Sequence, residues 1–167
     1  IQMGSEFKKA DFYYERKFHL INGYEYKKVD IKSSEEMYDA IKTMIVRGAP
    51  AIGIAGAHGV VLGAIENINS ANFVEDVKKV ADYLNSSRPT AVNLNWALKK
   101  QIEVLENNKE KTNSEIIELL VENAIKLEDE DIQINKKIGE YGSEIIPKGA
   151  TILTHCNAGA LATVGWG

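Results

Sequence analysis

The sequence predicts a mainly α N-terminal domain with a small β element, followed by the first strand of an α/β domain. Three observations lead there. Apolar residues recur at i, i+3, i+4 and i+7 in successive stretches between residues 33 and 141. A stretch without Asp, Glu, Lys or Arg, residues 48–65, is built largely from alanine and glycine. A short apolar run, residues 151–155, comes late and is bounded by turn residues.

Residues 24–31 alternate loosely and predict a strand. Ser33 and Glu36 have capping-box spacing, each side chain satisfying a free backbone N–H. The helix expected next places Met37, Ala40, Ile41, Met44 and Ile45 on one face and ends at Arg47-Gly48. Pro50 suits a first helical turn and opens a helix to about Asn67. There Gly56, Gly59 and Gly63 fall near one face, each costing about 1 kcal/mol against alanine. Tight packing or close approach of a ligand explains such glycines. The stretch is long enough to cross a bilayer, yet Pro50, His58 and the glycines fit a central helix packed on all sides by protein.

Asn72 and Glu75 open another helix with Phe73, Val77, Val80, Ala81 and Leu84 inward, broken by residues 86–90. Residues 91–106 follow with Leu94, Leu98, Ile102 and Leu105 inward. After a polar connection, a long helix spans about 114–141. Pro147-Lys148-Gly149 then turns the chain into the run 151–155, read as a buried parallel strand. Residues 156–163 form a small-residue turn able to start a helix. The expected organisation is an expression scar at 1–7, marked by Gly4-Ser5-Glu6-Phe7, a helical domain at 8–146 and the start of an α/β domain at 147–167. A lone parallel strand leaves its backbone groups unpaired, so either the chain is an incomplete fragment or the missing strands lie elsewhere, as on another chain.

A net charge of −4 and a pI near 5.5 argue against a nucleic-acid surface, while local arginines can still hold a small anion. The single cysteine, Cys156, precludes an intrachain disulfide and fits a reducing cytoplasm. His19, His58 and His155 are scattered and offer no zinc spacing. No metal or cofactor is implied, and the N-terminus has no signal-peptide pattern. The turn from Asn157 lacks the first glycine of G-x-G-x-x-G, and no Walker motif is present.

Three segments can carry chemistry. Arg47-Gly48-Ala49-Pro50 combines a fixed positive charge with helix N-terminal N–H groups, which suits phosphate; the alternative is an arginine interacting with a helix C-terminus. Arg88, before Pro89, is either a second phosphate or sugar ligand or a solvated surface arginine. Cys156 follows the expected strand, where ligands of open α/β sheets bind. Its thiol can exchange protons near neutral pH if modestly tuned, or it is an inert packing residue. His155 and His58 read as packing or supporting histidines, and Trp96 and Trp166 as packing residues.

Together, residues 46–53 (Val-Arg-Gly-Ala-Pro-Ala-Ile-Gly), 87–94 (Ser-Arg-Pro-Thr-Ala-Val-Asn-Leu) and 154–163 (Thr-His-Cys-Asn-Ala-Gly-Ala-Leu-Ala-Thr) resemble the methylthioribose-1-phosphate isomerase family in content, order and separation. The resemblance covers the chain from about Tyr24. It departs at Gly56, His58 and Asn95, and residues 15–20 lack the family's N-terminal elements. It implies a truncated Rossmann-like second domain and conversion of 5-methylthioribose 1-phosphate to 5-methylthioribulose 1-phosphate in methionine salvage. By motif, Arg47, Gly48, Ala49 and Arg88 would bind substrate and Cys156 would be the catalytic thiol, with hydrogen moving as proton or hydride. A further acid/base aspartate would lie beyond this chain, so the chain alone is expected to be inactive. A cytoplasmic homodimer acting on a small phosphosugar, without nucleic acid or membrane, is implied. Two alternatives stand: a ribose-1,5-bisphosphate isomerase, and a non-catalytic regulatory subunit of the translation initiation factor 2 exchange-factor type.

Overall fold

The computed structural model describes the backbone of residues 12–20, 23–155 and 158–167, with side chains from Val29 onward within those ranges. The segment read as an expression scar lies outside them. Strand β1 (Phe12–Leu20) pairs antiparallel with β2 (Gly23–Ile31), Phe12 opposite Ile31. Five helices follow: α1 (Ser34–Lys42), α2 (Ala49–Glu66), α3 (Phe73–Ser86), α4 (Val92–Asn107) and α5 (Asn113–Ile145).

α2 is the axis of the fold and is buried from Ala51 to Ala64. It is apolar enough to cross a membrane by length and composition, but its surface is spent on neighbouring helices, as its glycines require. A Cβ on Gly59 would lie 2.9 Å from both Leu84 and Met37, and one on Gly63 would lie 2.4 Å from Val80. Gly53 meets Asn93, Gly56 meets Leu94, and the Ala57 carbonyl accepts from Gln101. Position along α2 therefore rises with position along α4 and falls along α3. α2 and α4 run parallel.

Gln101 is fully buried and joins three helices. Its amide N–H groups donate to the Ala57 and Leu120 carbonyls at 3.1 and 3.0 Å, and its oxygen accepts from Asn123. Glu66, ending α2, accepts from the N–H and hydroxyl of Ser34 at the start of α1, placing a carboxylate at a positive helix end. Thr112 and Glu115 form a reciprocal capping box on α5.

Several expectations need correction. Glu36 accepts from the Lys32 N–H, not that of Ser33, although Ser33 does cap Glu36. α1 stops at Lys42, because Met44 takes φ 60° and turns the chain outward, leaving its side chain 50% exposed. A left-handed backbone costs an L-residue about 1–2 kcal/mol, and glycine escapes most of it. Met44→Gly should therefore raise the thermal midpoint by about 2–4 °C, measurable by calorimetry.

α5 continues past Gly142 to Ile145. Beyond Leu127, its last buried residue, it leaves the core, so Ile134, Ile138, Tyr141 and Ile145 are exposed. The run 151–155 forms no strand; Leu153 is 96% exposed and His155 is exposed too. Among the described residues no strand lies beside it, and a parallel strand exists only with neighbours. Trp96 and Trp166 are 45% and 55% exposed, not core.

Candidate functional site

The parallel course of α2 and α4 puts two helix N-termini at one end of the bundle. Arg47 precedes the first and Arg88 lies in the turn into the second, where the Ala91 N–H donates to the Arg88 carbonyl at 2.9 Å. Neither helix has an acidic residue in its first turn. Two positive dipole ends and the two arginine-bearing turns thus lie at one end of the bundle. Among the described residues neither guanidinium is paired with a carboxylate; Arg47 is exposed and Arg88 half-buried.

Gly48 caps α2 with φ 106°, a conformation open to glycine. A Cβ there would lie 2.4 Å from both the Cα and the carbonyl oxygen of Ala162. The Ala51 N–H donates to that same carbonyl at 3.3 Å. The first and third motifs, far apart in sequence, are therefore in backbone contact. The second joins through Asn93, whose carbonyl oxygen would lie 2.8 Å from a Cβ on Gly53. Cys156 itself lies outside the described residues.

The contact with Ala162 modifies the expected anion site. Pro50 has no N–H and that of Ala51 is taken, while Ile52 donates to the Gly48 carbonyl. Among the described residues the Ala49 N–H is left without a partner in this first turn, and Ala49 is exposed. The arginines must supply more of any anion binding than the turn does.

α5 packs along α2 and also reaches the C-terminal segment. His58, 2% exposed inside α2, lies 3.5 Å from Glu128, so it is a polar partner of that carboxylate as well as a packing residue. Hydrogen bonding to His58 holds the Glu128 carboxyl below the ordinary glutamate range, against the upward push of partial burial. A lowered folded-state pKa stabilises the fold above the unfolded value of about 4.3 and is lost as pH falls through the folded value. Glu128→Gln should therefore lower the urea midpoint at neutral pH and flatten its fall below about pH 4.3.

One turn on, Asp131 accepts from the Val164 N–H at 3.1 Å. Sequence reading missed this residue, since an aspartate on an acidic helix reads as solvated. It missed Gln101 for a different reason: its spacing from Leu94, Leu98 and Leu105 put it on the inward stripe, a signal that was available.

The sequence profile of the Initiation factor 2 subunit family matches residues 45–164. The methylthioribose-1-phosphate isomerase of Caldicellulosiruptor saccharolyticus is 53% identical over 133 residues, covering 80% of this chain and 39% of that protein. That of Thermotoga maritima is 47% identical over 153 residues, covering 92% and 43%. Among solved structures, 5-methylthioribose 1-phosphate isomerase from Pyrococcus horikoshii OT3 superposes with a TM-score of 0.80 at 40% identity, over 97% of this chain and 45% of that one. The translation initiation factor eIF-2B subunit delta from A. fulgidus gives 0.74 at 42% identity, over 86% and 42%. The chain spans about two-fifths of the length of the curated relatives it matches. By this sequence match and the fold that carries it, the chain belongs to the initiation factor 2 subunit family.

Proposed function

We propose that the full-length protein is an aldose–ketose isomerase converting 5-methylthioribose 1-phosphate to 5-methylthioribulose 1-phosphate in methionine salvage. The observation that carries this reading is the pairing of the α2 and α4 N-termini behind Arg47 and Arg88, with Ala162 packed on Gly48. The names of the relatives supply the substrate. Arg47 and Arg88, with the backbone at Gly48 and Ala49, hold the phosphate and orient the sugar. Cys156 serves hydrogen movement between the first two carbons after ring opening.

Residues 8–146 are the helical domain and 147–167 open a Rossmann-like α/β domain, in which 151–155 becomes a strand once its neighbours are present. The assembled enzyme is a cytoplasmic homodimer. On this reading the 167-residue chain alone does not turn over sugar phosphate.

The test is a turnover assay on the pure full-length protein with 5-methylthioribose 1-phosphate and with ribose 1,5-bisphosphate. Preferential conversion of the first supports the reading. Preferential conversion of the second makes the protein a bisphosphate isomerase. Conversion of neither favours a non-catalytic regulatory subunit, a reading to which the likeness to the eIF-2B delta subunit gives weight.

A further inference from the structure

We propose that Asp131 is a positioning residue, seating the segment that follows Cys156 against the Arg47-Gly48 turn. α5 leaves the core just before it: Leu127 is the last buried residue of the helix. At that point the Asp131 carboxylate reaches across to the C-terminal segment, and one oxygen accepts from the Val164 N–H at 3.1 Å. The other oxygen accepts from the Asn135 side-chain amide at 3.3 Å, and that amide also donates to the Asp131 carbonyl. Among the described residues no lysine or arginine neutralises this carboxylate. It is held and aimed by N–H groups alone.

The segment so held has a second attachment. Two residues before Val164, the Ala162 carbonyl accepts from the Ala51 N–H, and the Ala162 backbone fills the space left by the missing side chain of Gly48. Ala162 is 5% exposed although the residues around it are exposed or half-buried. α5 adds looser contacts further on, Ile132 beside Gly165 and the Lys136 ammonium 5.7 Å from the Trp166 ring. The segment is therefore clamped between the first turn of α2 and the emerging part of α5, and Asp131 supplies the directional bond on the α5 side. A charge-assisted bond to a backbone N–H is stronger than a neutral one, and small displacements at a reacting centre lower rates steeply.

The kinetic consequence rests on Cys156 being the reacting thiol; the seating itself does not. The experiment uses the full-length protein with Asp131→Ala and Asp131→Asn, followed by hydrogen exchange of residues 158–166 and by steady-state kinetics with 5-methylthioribose 1-phosphate. Asparagine keeps an acceptor for Val164, since the Asn135 amide can turn to present its own oxygen. In Asp131→Ala the Val164 amide should exchange at least about tenfold faster, with α2 and α3 unchanged. Its kcat should fall by about 10²-fold with KM within about twofold, and Asp131→Asn, with a weaker neutral acceptor, should recover most of both losses. Asp131 lies beyond the core, so both variants should keep the wild-type circular dichroism. Unchanged Val164 exchange in Asp131→Ala overturns the seating, and faster exchange with undiminished kcat overturns its role in positioning. If wild-type protein lacks turnover, the functional reading fails, while exchange at Val164 still decides the seating.

Discussion

Gly48→Ala in the full-length protein is expected to lower kcat/KM for the phosphosugar by about 10²–10³-fold, a larger effect than an added methyl group usually has. Two independent costs coincide at this position. The backbone φ of 106° suits glycine and strains any L-residue. The added carbon would also fall 2.4 Å from the Ala162 Cα and carbonyl oxygen, which are main-chain atoms that no rotamer change can move aside. Either the turn changes conformation or the segment carrying Ala162 withdraws, and both pull the Arg47 motif away from residues 158–163. The helical core should survive, since the collision lies at the end of α2 and leaves the packing of Gly59 and Gly63 intact. The expected record is a near-native far-ultraviolet spectrum with faster hydrogen exchange at Ala51 and Ala162. Wild-type kcat/KM in this variant would show that the contact does not shape the site.

Cys156→Ala is expected to lower kcat by about 10²–10⁴-fold, the range for a positioned proton-transfer group. KM should change little, because phosphate binding is assigned to Arg47 and Arg88. Cys156→Ser is the informative companion: a hydroxyl is close in size but far less acidic than a thiol, so activity should stay low despite conserved shape. Undiminished kcat in either variant would make the cysteine a packing residue.

Local pattern made the helices legible. Met37, Ala40 and Ile41, then Phe73, Val77, Ala81 and Leu84, are buried as their spacing predicts. The glycines of α2 announced close packing and have it. β1 was missed although Phe12, Tyr14, Phe18 and Leu20 alternate, because the charges between them obscure the period. The end of α1 was placed too late because nothing local reveals that Met44 enters the left-handed region. The run 151–155 carries a strand's composition, but strand formation depends on partners and not on the run itself.

The candidate site divides in the same way. Arg47, Gly48, Ala49 and Arg88 were visible as residue types at helix starts. Their neighbourhood was not, since it depends on α2 and α4 running parallel, which follows from pairs such as Gly53 with Asn93 that no periodicity encodes. The occupation of the Ala51 N–H by Ala162 and the reach of Asp131 to Val164 are likewise contacts between distant parts of the chain.

On the proposed function, Arg47, Arg88 and Cys156 surround one phosphorylated sugar. A crystal structure of the full-length protein with 5-methylthioribulose 1-phosphate bound tests it directly. The expected result is phosphate oxygens about 3 Å from at least one of the two guanidinium groups, with the Cys156 sulfur against the first two carbons of the same molecule. A ligand seated elsewhere, or the three side chains opening onto separate cavities, would contradict it.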